Sequence, residues 1–149
     1  MNTLVNTAPP PTRVHASCVA LGGRAILLFG PSGAGKSDLS VCLIDQGAAL
    51  VSDDYTELTT RRGALLANAP SNIWGQIEVR GIGIMRMTPQ DDVPVSLAID
   101  LGPPPERLPD PRTRSFLGLD IPLVTIDPRA PSATAKVRLA LDVIGLPAQ

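Results

Sequence analysis

The segment from Gly30 to Ser37, GPSGAGKS, holds the residues of this sequence whose types and spacing best suit phosphate binding. Gly30, Gly35, Lys36 and Ser37 fit the template G-x-x-x-x-G-K-[ST]. In such a loop the backbone N–H groups converge on one anion, the Lys reaches the β and γ phosphates, and the Ser hydroxyl suits Mg²⁺. The pattern leaves open whether water, a small molecule or a protein receives the phosphate. The predicted loop comprises Gly30, Pro31, Ser32, Gly33, Ala34, Gly35, Lys36 and Ser37.

Two adjacent carboxylates, Asp53 and Asp54, follow the next apolar segment of the chain. A carboxylate at the end of that strand is expected at the carboxyl edge of the sheet, beside the loop. Successive strand residues face opposite ways, so one Asp can hold Mg²⁺ or its water while the other points at the phosphate acceptor. A solvated turn is the alternative interpretation of this pair.

Glu78 and Arg80, in the segment QIEVRGIGIM, form a second charged pair. Residues i and i+2 of a strand share a face, so the carboxylate and the guanidinium are presented together. The carboxylate can complete a Mg²⁺ shell and the guanidinium can hold phosphate oxygens, while Gly81 and Gly83 allow close backbone approach. A surface ion pair beside a bulge is the alternative, but the phosphate loop upstream favours a site.

The apolar pattern predicts the elements that must hold these groups. Residues 15–21 and 25–29 are predicted strands, and the run AILLF is typical of a strand buried on both faces. Residues 36–46 are a predicted helix and residues 49–52 the next strand. Strand, glycine loop, helix and strand form a βαβ unit, so we expect right-handed, parallel pairing within it.

The remainder of the chain is richer in strands than in helices. Mixed parallel and antiparallel strands with two or three helices indicate an α/β fold, a P-loop domain with a mixed sheet and few helices. The polar, Pro-rich residues 1–13 are predicted as a flexible tail and residues 14–149 as one domain. The further predicted elements are a hairpin of 57–60 with 64–67, a partly alternating segment at 77–87, strands at 93–101 and 123–126, and a helix at 132–143.

Composition excludes several classes of function. The net charge of −1 gives no general attraction to nucleic acid or to an anionic membrane. No apolar run approaches the ~20 residues of a membrane-spanning helix, and residues 1–13 lack the positive cluster followed by an apolar stretch that is typical of a signal peptide. Cys18 and Cys42 belong to no C-x-x-C pair, so we expect two buried thiols in a reducing compartment. These features predict a cytoplasmic protein with no nucleic-acid or membrane partner.

Three segments, GPSGAGKSDL, LVSDD and IEVRGIGI, closely resemble in order and spacing the signature segments of the bacterial HPr kinase/phosphorylase family. The third segment is much more specific than a P-loop. The resemblance covers about residues 14–143 and looks like a short form with only the catalytic domain. It implies a P-loop fold of the HPr kinase/PEP carboxykinase-like type, with ATP and Mg²⁺ as ligands. It also implies phosphorylation of a serine of the phosphocarrier protein HPr, and its reversal by inorganic phosphate with release of pyrophosphate.

The resemblance also implies roles for individual residues. Inorganic phosphate would be the alternative ligand of the loop. His15, which the residues alone do not single out, falls where the family has its active-site His. Asp53 and Asp54 would supply the acid/base, with Asp54 favoured. The other implied site residues are Lys36 and Arg107 as catalytic groups, Ser37 and Glu78 as Mg²⁺ ligands, and Arg80, Gly81 and Gly83 in the segment that serves both activities.

One segment departs from the family pattern. The family has a V-P-V-K-x-G-R-like loop after its last strand, whereas this chain has IDPRAPSATA, in which Arg129 is the only cation. The resemblance implies a homo-oligomer, but this departure leaves open whether it is the hexamer of the longer members and whether the phosphorylase activity is kept. A P-loop kinase for a small metabolite is one alternative, although Arg112 and Arg114 lie in a Pro-rich segment instead of an Arg-rich lid. A nucleotide-binding regulatory module is the other.

Overall fold

The computed structural model of the protein describes residues 8–148. Two helices and a short 3₁₀ turn at Ser71–Ile73 accompany the strands. The elements in chain order are β1 (Thr12–Val14), β2 (Ala16–Leu21), β3 (Arg24–Phe29), α1 (Lys36–Asp45), β4 (Ala49–Ser52), β5 (Thr56–Arg61), β6 (Ala64–Asn68), β7 (Gln76–Val79), β8 (Gly83–Arg86), β9 (Val93–Leu101), β10 (Arg112–Phe116), β11 (Leu119–Ile126) and α2 (Ala133–Val143).

A nine-stranded mixed sheet forms the centre of the fold, in agreement with the predicted α/β class. The strand order is β1-β5-β6-β9-β3-β2-β4, and β11 joins β9 and carries β10 at its outer edge. Strand β9 pairs in parallel with β3 and β11 and antiparallel with β6. Because β3 and β9 are covered on both faces, they are mostly apolar instead of alternating, with a continuous apolar run in β3 at residues 25–29.

The core lies on both faces of this sheet. Ile26, Leu28 and Ile99 pack with residues of α1 and α2 on one face. Leu27 and Ala98, which are adjacent in sequence to these residues, pack on the opposite face with residues of β5, β6 and β10. The period of two in a strand produces this division, so β3 is held from both sides and fixes the start of the loop that follows it.

The predicted pairing of residues 25–29 with 49–52 is wrong. Strand β2 lies between β3 and β4 and is antiparallel to both, so β3 and β4 run parallel without being neighbours. The turn at Gly22-Gly23, where both residues have positive φ, closes a β2–β3 hairpin that occupies the edge of β3. As a result, the beginning of β2 lies at the same sheet edge as the ends of β3 and β4.

Two further segments differ from the prediction. Thr12 and Arg13 belong to β1, which pairs with β5, and Arg13 forms an ion pair with Glu57. They are therefore not part of a flexible tail, while residues 1–7 lie outside the described residues. The predicted Pro-rich loop contains β10, which the apolar pattern missed because only Phe116 of its five residues is buried.

The remaining predicted elements are confirmed, with ends shifted by a few residues. The hairpin becomes β5–β6, the partly alternating segment becomes the separate β7–β8 hairpin, and both later strands and the last helix are present. Neither helix among residues 8–148 is long and apolar enough to cross a membrane.

The two cysteines differ in burial. Cys18 is completely buried in β2, as expected, but Cys42 lies on the exposed side of α1, so its predicted burial is wrong. Burial raises the pKa of the Cys18 thiol because it disfavours the thiolate.

We predict that iodoacetamide labels only Cys42 in the folded protein and both cysteines in denaturant, because the thiolate is the reacting form and Cys18 is both buried and protonated. Mass spectrometry of the intact protein counts the labels. The Cys42→Ser variant is the control and should remain unlabelled until it unfolds. Equal labelling of both thiols in the folded protein would contradict the structure.

Candidate functional site

The loop between β3 and α1 has the backbone shape that its glycines predict. Gly35 has φ +102°, a region that residues with side chains rarely adopt, and a Cβ there would lie 3.5 Å from the Pro128 side chain. A Cβ on Gly30 would lie 2.8 Å from the Ala34 Cβ, so this position also requires glycine. Helix α1 begins directly after Gly35, and its N-terminal amides are directed at the loop. The loop therefore has the form of an anion cradle.

Lys36 is nearly buried at the start of α1, with 4% of its surface exposed. Its Nζ donates hydrogen bonds to the carbonyl oxygens of Gly30 at 2.5 Å and Pro31 at 3.2 Å. The same atom lies 3.7 Å from Oδ1 of Asp54. The ammonium group is thus fixed between the phosphate loop and the carboxylate pair.

The Asp53 carboxylate joins the loop to two other strands. Its Oδ1 accepts a hydrogen bond of 2.6 Å from the Ser37 hydroxyl, and its Oδ2 accepts one of 2.9 Å from the backbone N–H of Glu78. The Ser17 hydroxyl on β2 lies 3.5 Å from Oδ1. Asp53 therefore faces the predicted metal side of the site.

The Asp54 carboxylate points to a different set of partners. Its Oδ1 lies 2.8 Å from Nε2 of His15, and its backbone N–H donates to the Ser17 hydroxyl at 2.9 Å. The two Asp side chains diverge as predicted, but for another reason. Strand β4 ends at Ser52, and the divergence comes from the positive φ of Asp54, +68°, rather than from strand alternation.

Two site residues were missed by sequence reasoning. Ser17 contacts both Asp residues, and its only sequence signal is that it lies two positions from His15. The Tyr55 ring stacks on the His15 imidazole, with centroids 4.8 Å apart and an interplanar angle of 18°. Because the beginning of β2 meets the end of β4, strand order brings Ser17 to the Asp pair. It also brings His15, which precedes β2, to Tyr55, which directly follows Asp54 in the chain.

A cavity of about 190 Å³ lies between the phosphate loop, the Asp pair and the segment of β7. Glu78, on β7, and Arg80, in the turn after β7, both line the cavity, so the predicted pair is presented together. Gly81 and Gly83 shape that turn with φ of +84° and +130°. The full lining is Ser32, Gly33, Gly35, Lys36, Ser37, Asp38, Asp53, Asp54, Glu78 and Arg80.

Arg107 is not brought into this cavity. It lies exposed in the loop between β9 and β10. Arg114, considered as a lid residue, instead lies over the Phe29 ring at 4.3 Å, and its Nη1 is 3.9 Å from Oδ1 of Asp100. Arg129 is exposed in the loop whose Pro128 packs against Gly35.

The oxygen donors of the cavity fit a magnesium ion bound together with phosphate. Ser37, Asp53 and Glu78 all line it. No cluster of three or more His, Cys, Asp or Glu side chains suited to a metal occurs among residues 8–148. Mg²⁺ commonly binds through one or two carboxylates and takes its other oxygens from phosphates and water, so a dedicated cluster is not required.

Comparison with known proteins identifies relatives of this chain. The family described as HPr Serine kinase C-terminal domain matches residues 7–90, which include every predicted site residue except Arg107. The HPr kinase/phosphorylase of Clostridium botulinum (strain Eklund 17B / Type B) is 39% identical over 85 residues, which cover 57% of this chain and 28% of that protein. HPr kinase/phosphorylase 1 of Oceanobacillus iheyensis is 32% identical over 146 residues, covering 92% of this chain and 46% of the relative. The chain thus spans less than half the length of these curated relatives.

A solved structure also resembles the fold. The structure of the Hpr(Ser) kinase/phosphatase from Coxiella burnetii superposes with a TM-score of 0.76 at 27% sequence identity, and the match covers 88% of this chain and 94% of that one.

We predict that Gly35→Ala weakens inorganic pyrophosphate binding at least roughly tenfold, equivalent to ~1.4 kcal/mol, because the loop amides lose their convergence. Isothermal titration calorimetry measures the effect. Gly63→Ala is the matched control: Gly63 has φ +77° with open space around it, in the distant β5–β6 turn. Both variants should lose about 1–2 kcal/mol of unfolding free energy from backbone strain, but Gly63→Ala should bind normally. Equal binding by both would contradict the cradle.

Proposed function

The chain belongs to the family of HPr serine kinase C-terminal domains, and from this premise we propose that it is an ATP-dependent kinase that phosphorylates a serine of the phosphocarrier protein HPr. The observation that carries the proposal is a single cavity in which the phosphate loop meets Asp54, a half-exposed carboxylate that another protein can reach. A small-metabolite kinase is less well supported, because Arg114 stacks on Phe29 on the sheet instead of forming a lid. A purely regulatory nucleotide-binding module is also less well supported, because it would not need both carboxylates of the pair Asp53 and Asp54.

The loop and its surroundings would bind the triphosphate of ATP. The loop amides and the Lys36 ammonium supply fixed positive charge next to the transferring group, and this charge stabilises the transition state more than the ground state. Ser37, Asp53 and Glu78 would hold Mg²⁺. When bound, Mg²⁺ neutralises negative charge on the phosphate oxygens. Arg80, from the turn after β7, would hold phosphate oxygens with its guanidinium.

Asp54 would act on the acceptor as general base. It accepts the proton of the serine hydroxyl while the serine oxygen forms a bond to the γ phosphorus and the bond from that phosphorus to ADP breaks. The contact of His15 at 2.8 Å and of Lys36 at 3.7 Å would hold the Asp54 carboxylate in place. Arg107 is retained as a proposed catalytic residue on the strength of the resemblance, and its participation requires the β9–β10 loop to move over the phosphates.

We further propose that the protein is cytoplasmic and forms a homo-oligomer. HPr as the protein partner implies a cytoplasmic enzyme. The β7–β8 hairpin exposes Ile82 by 74% and Ile84 by 63%, and apolar residues exposed together suit a protein contact. We assign this surface to a homo-oligomer, which analytical ultracentrifugation of the full chain can test.

We predict that incubation with ATP labelled in the γ phosphate and purified HPr transfers label to a serine of HPr. Mass spectrometry of the labelled HPr locates the serine. Label that appears only on a small metabolite, or ADP formed with no labelled HPr, would contradict the proposed acceptor.

Asp54→Asn should lower the transfer rate by about 10²–10⁴-fold, the contribution of a positioned general base. Asp45→Asn, an exposed change at the end of α1, is the control and should transfer normally. A normal rate for Asp54→Asn would exclude Asp54 as the base.

We propose phosphorolysis as a second, slower activity of the same cavity. Inorganic phosphate would occupy the loop, attack the phosphoserine phosphorus and leave as pyrophosphate, while Asp54 returns a proton to the serine oxygen. The loop after β11 offers only Arg129 where the family has its Lys and Gly-Arg, which is why we expect this direction to be the slower one.

We predict that serine-phosphorylated HPr is dephosphorylated only when inorganic phosphate is added, with one pyrophosphate released per phosphate removed, and more slowly than the kinase reaction. A coupled pyrophosphate assay measures the release. Phosphate-independent dephosphorylation would point to hydrolysis by water and would contradict phosphorolysis.

A further inference from the structure

Tyr55 lies beside the proposed base and contacts the active-site histidine directly. Its ring stacks on the His15 imidazole with centroids 4.8 Å apart, and 43% of the residue remains exposed. The His15 Nε2 atom in turn lies 2.8 Å from Oδ1 of Asp54. Tyr55 therefore contacts the face of the His15 ring, and Asp54 contacts its edge.

The backbone around Tyr55 is fixed by several hydrogen bonds. The Tyr55 N–H donates to the Asp53 carbonyl at 2.8 Å, and the Ser52 hydroxyl donates to the Tyr55 carbonyl. The next residue, Thr56, begins β5, and its hydroxyl donates at 2.8 Å to the Ala16 carbonyl, adjacent to His15. The chain segments that carry the two stacked rings are thus held together by hydrogen bonds next to the rings.

The histidine itself has little else to hold it. Its side chain is 39% exposed, and Val14 before it pairs with Thr56 at the edge of the sheet. An exposed side chain with one hydrogen bond exchanges among rotamers unless a neighbour restricts it. A planar ring stacked on the imidazole removes that freedom and leaves the Nε2 edge directed at Asp54.

We propose that Tyr55 is a positioning residue: its ring holds the His15 imidazole against the Asp54 carboxylate, so that Asp54 keeps the orientation needed to accept a proton. The catalytic part of this inference rests on the proposed kinase function. The stacking itself does not, and it can be measured without any activity. The ring face is the essential feature, so phenylalanine can replace tyrosine and alanine cannot.

The structural readout uses the fact that His15 is the only histidine in the sequence. In the full chain without a histidine tag, the imidazole carbon-bound protons give one set of NMR signals, which a stacked aromatic ring shifts upfield. We predict that Tyr55→Ala moves these signals downfield, toward those of free histidine, and that Tyr55→Phe leaves them upfield. Leu139→Ala, an exposed apolar truncation on α2, is the control and should leave them unchanged.

The kinetic readout separates positioning from binding. With HPr as acceptor, Tyr55→Ala should lower kcat about tenfold, part of the effect of a positioned base, with the KM for ATP unchanged because the phosphate loop is untouched. Tyr55→Phe should stay within about twofold of the unaltered protein, and circular dichroism should confirm that every variant is folded.

Each result decides one part of the inference. His15 signals that do not respond to Tyr55→Ala would overturn the stacking, and a Tyr55→Phe variant as slow as Tyr55→Ala would overturn the role of the ring face. A rise in the KM for ATP at unchanged kcat would overturn positioning in favour of nucleotide binding. If the unaltered protein fails to phosphorylate HPr, the proposed function and the catalytic role fall together, while the NMR shifts still establish or refute the stacked pair.

Discussion

The Asp53 carboxylate is the group on which the geometry of the site depends. One of its oxygens accepts from the Ser37 hydroxyl of the loop and the other from the Glu78 N–H of β7. These bonds join the phosphate loop, the end of β4 and the small β7–β8 hairpin, which is a separate sheet. A two-stranded hairpin has little stability by itself, so its position beside the loop relies on such contacts and on the buried Ile77.

A second constraint is the insertion of β2 between β3 and β4. Because β2 runs antiparallel to both, it begins where they end, and it delivers His15 and Ser17 to the edge that carries the loop and the Asp pair. A simple βαβ unit, in which the two parallel strands are neighbours, has no place for these residues. The histidine therefore comes from the residue just before β2, a strand that precedes the phosphate loop in sequence.

The two adjacent Asp residues show how a local backbone feature separates two roles. Asp54 has φ +68°, and its N–H is fixed by the Ser17 hydroxyl. This turns its carboxylate toward His15 and Lys36, while Asp53 stays with Ser37. One carboxylate is engaged on the side of the loop hydroxyl, and the other remains half-exposed, where a second protein can approach it.

Much of this site could be read from the sequence, and the reasons are local. The loop follows from the spacing of Gly30, Gly35, Lys36 and Ser37, since the glycine conformations and the helix start depend on neighbouring residues. The pair Glu78 and Arg80 follows from a strand segment and its turn, and both residues line the cavity. The family signature named His15 through resemblance, and the structure places it against Asp54.

What the tertiary structure decided involves contacts between segments far apart in the chain. Strand order placed β2 between β3 and β4, located Ser17 between the two Asp residues and put Tyr55 on His15. The tertiary structure also left Arg107 outside the cavity and placed Arg114, on β10, over the Phe29 ring. The partner with which a strand pairs depends on which sheet edges are already occupied, and no local pattern of side chains in the sequence indicates this. The sequence thus determined which groups form the predicted phosphate loop, and the sheet order determined which groups surround them.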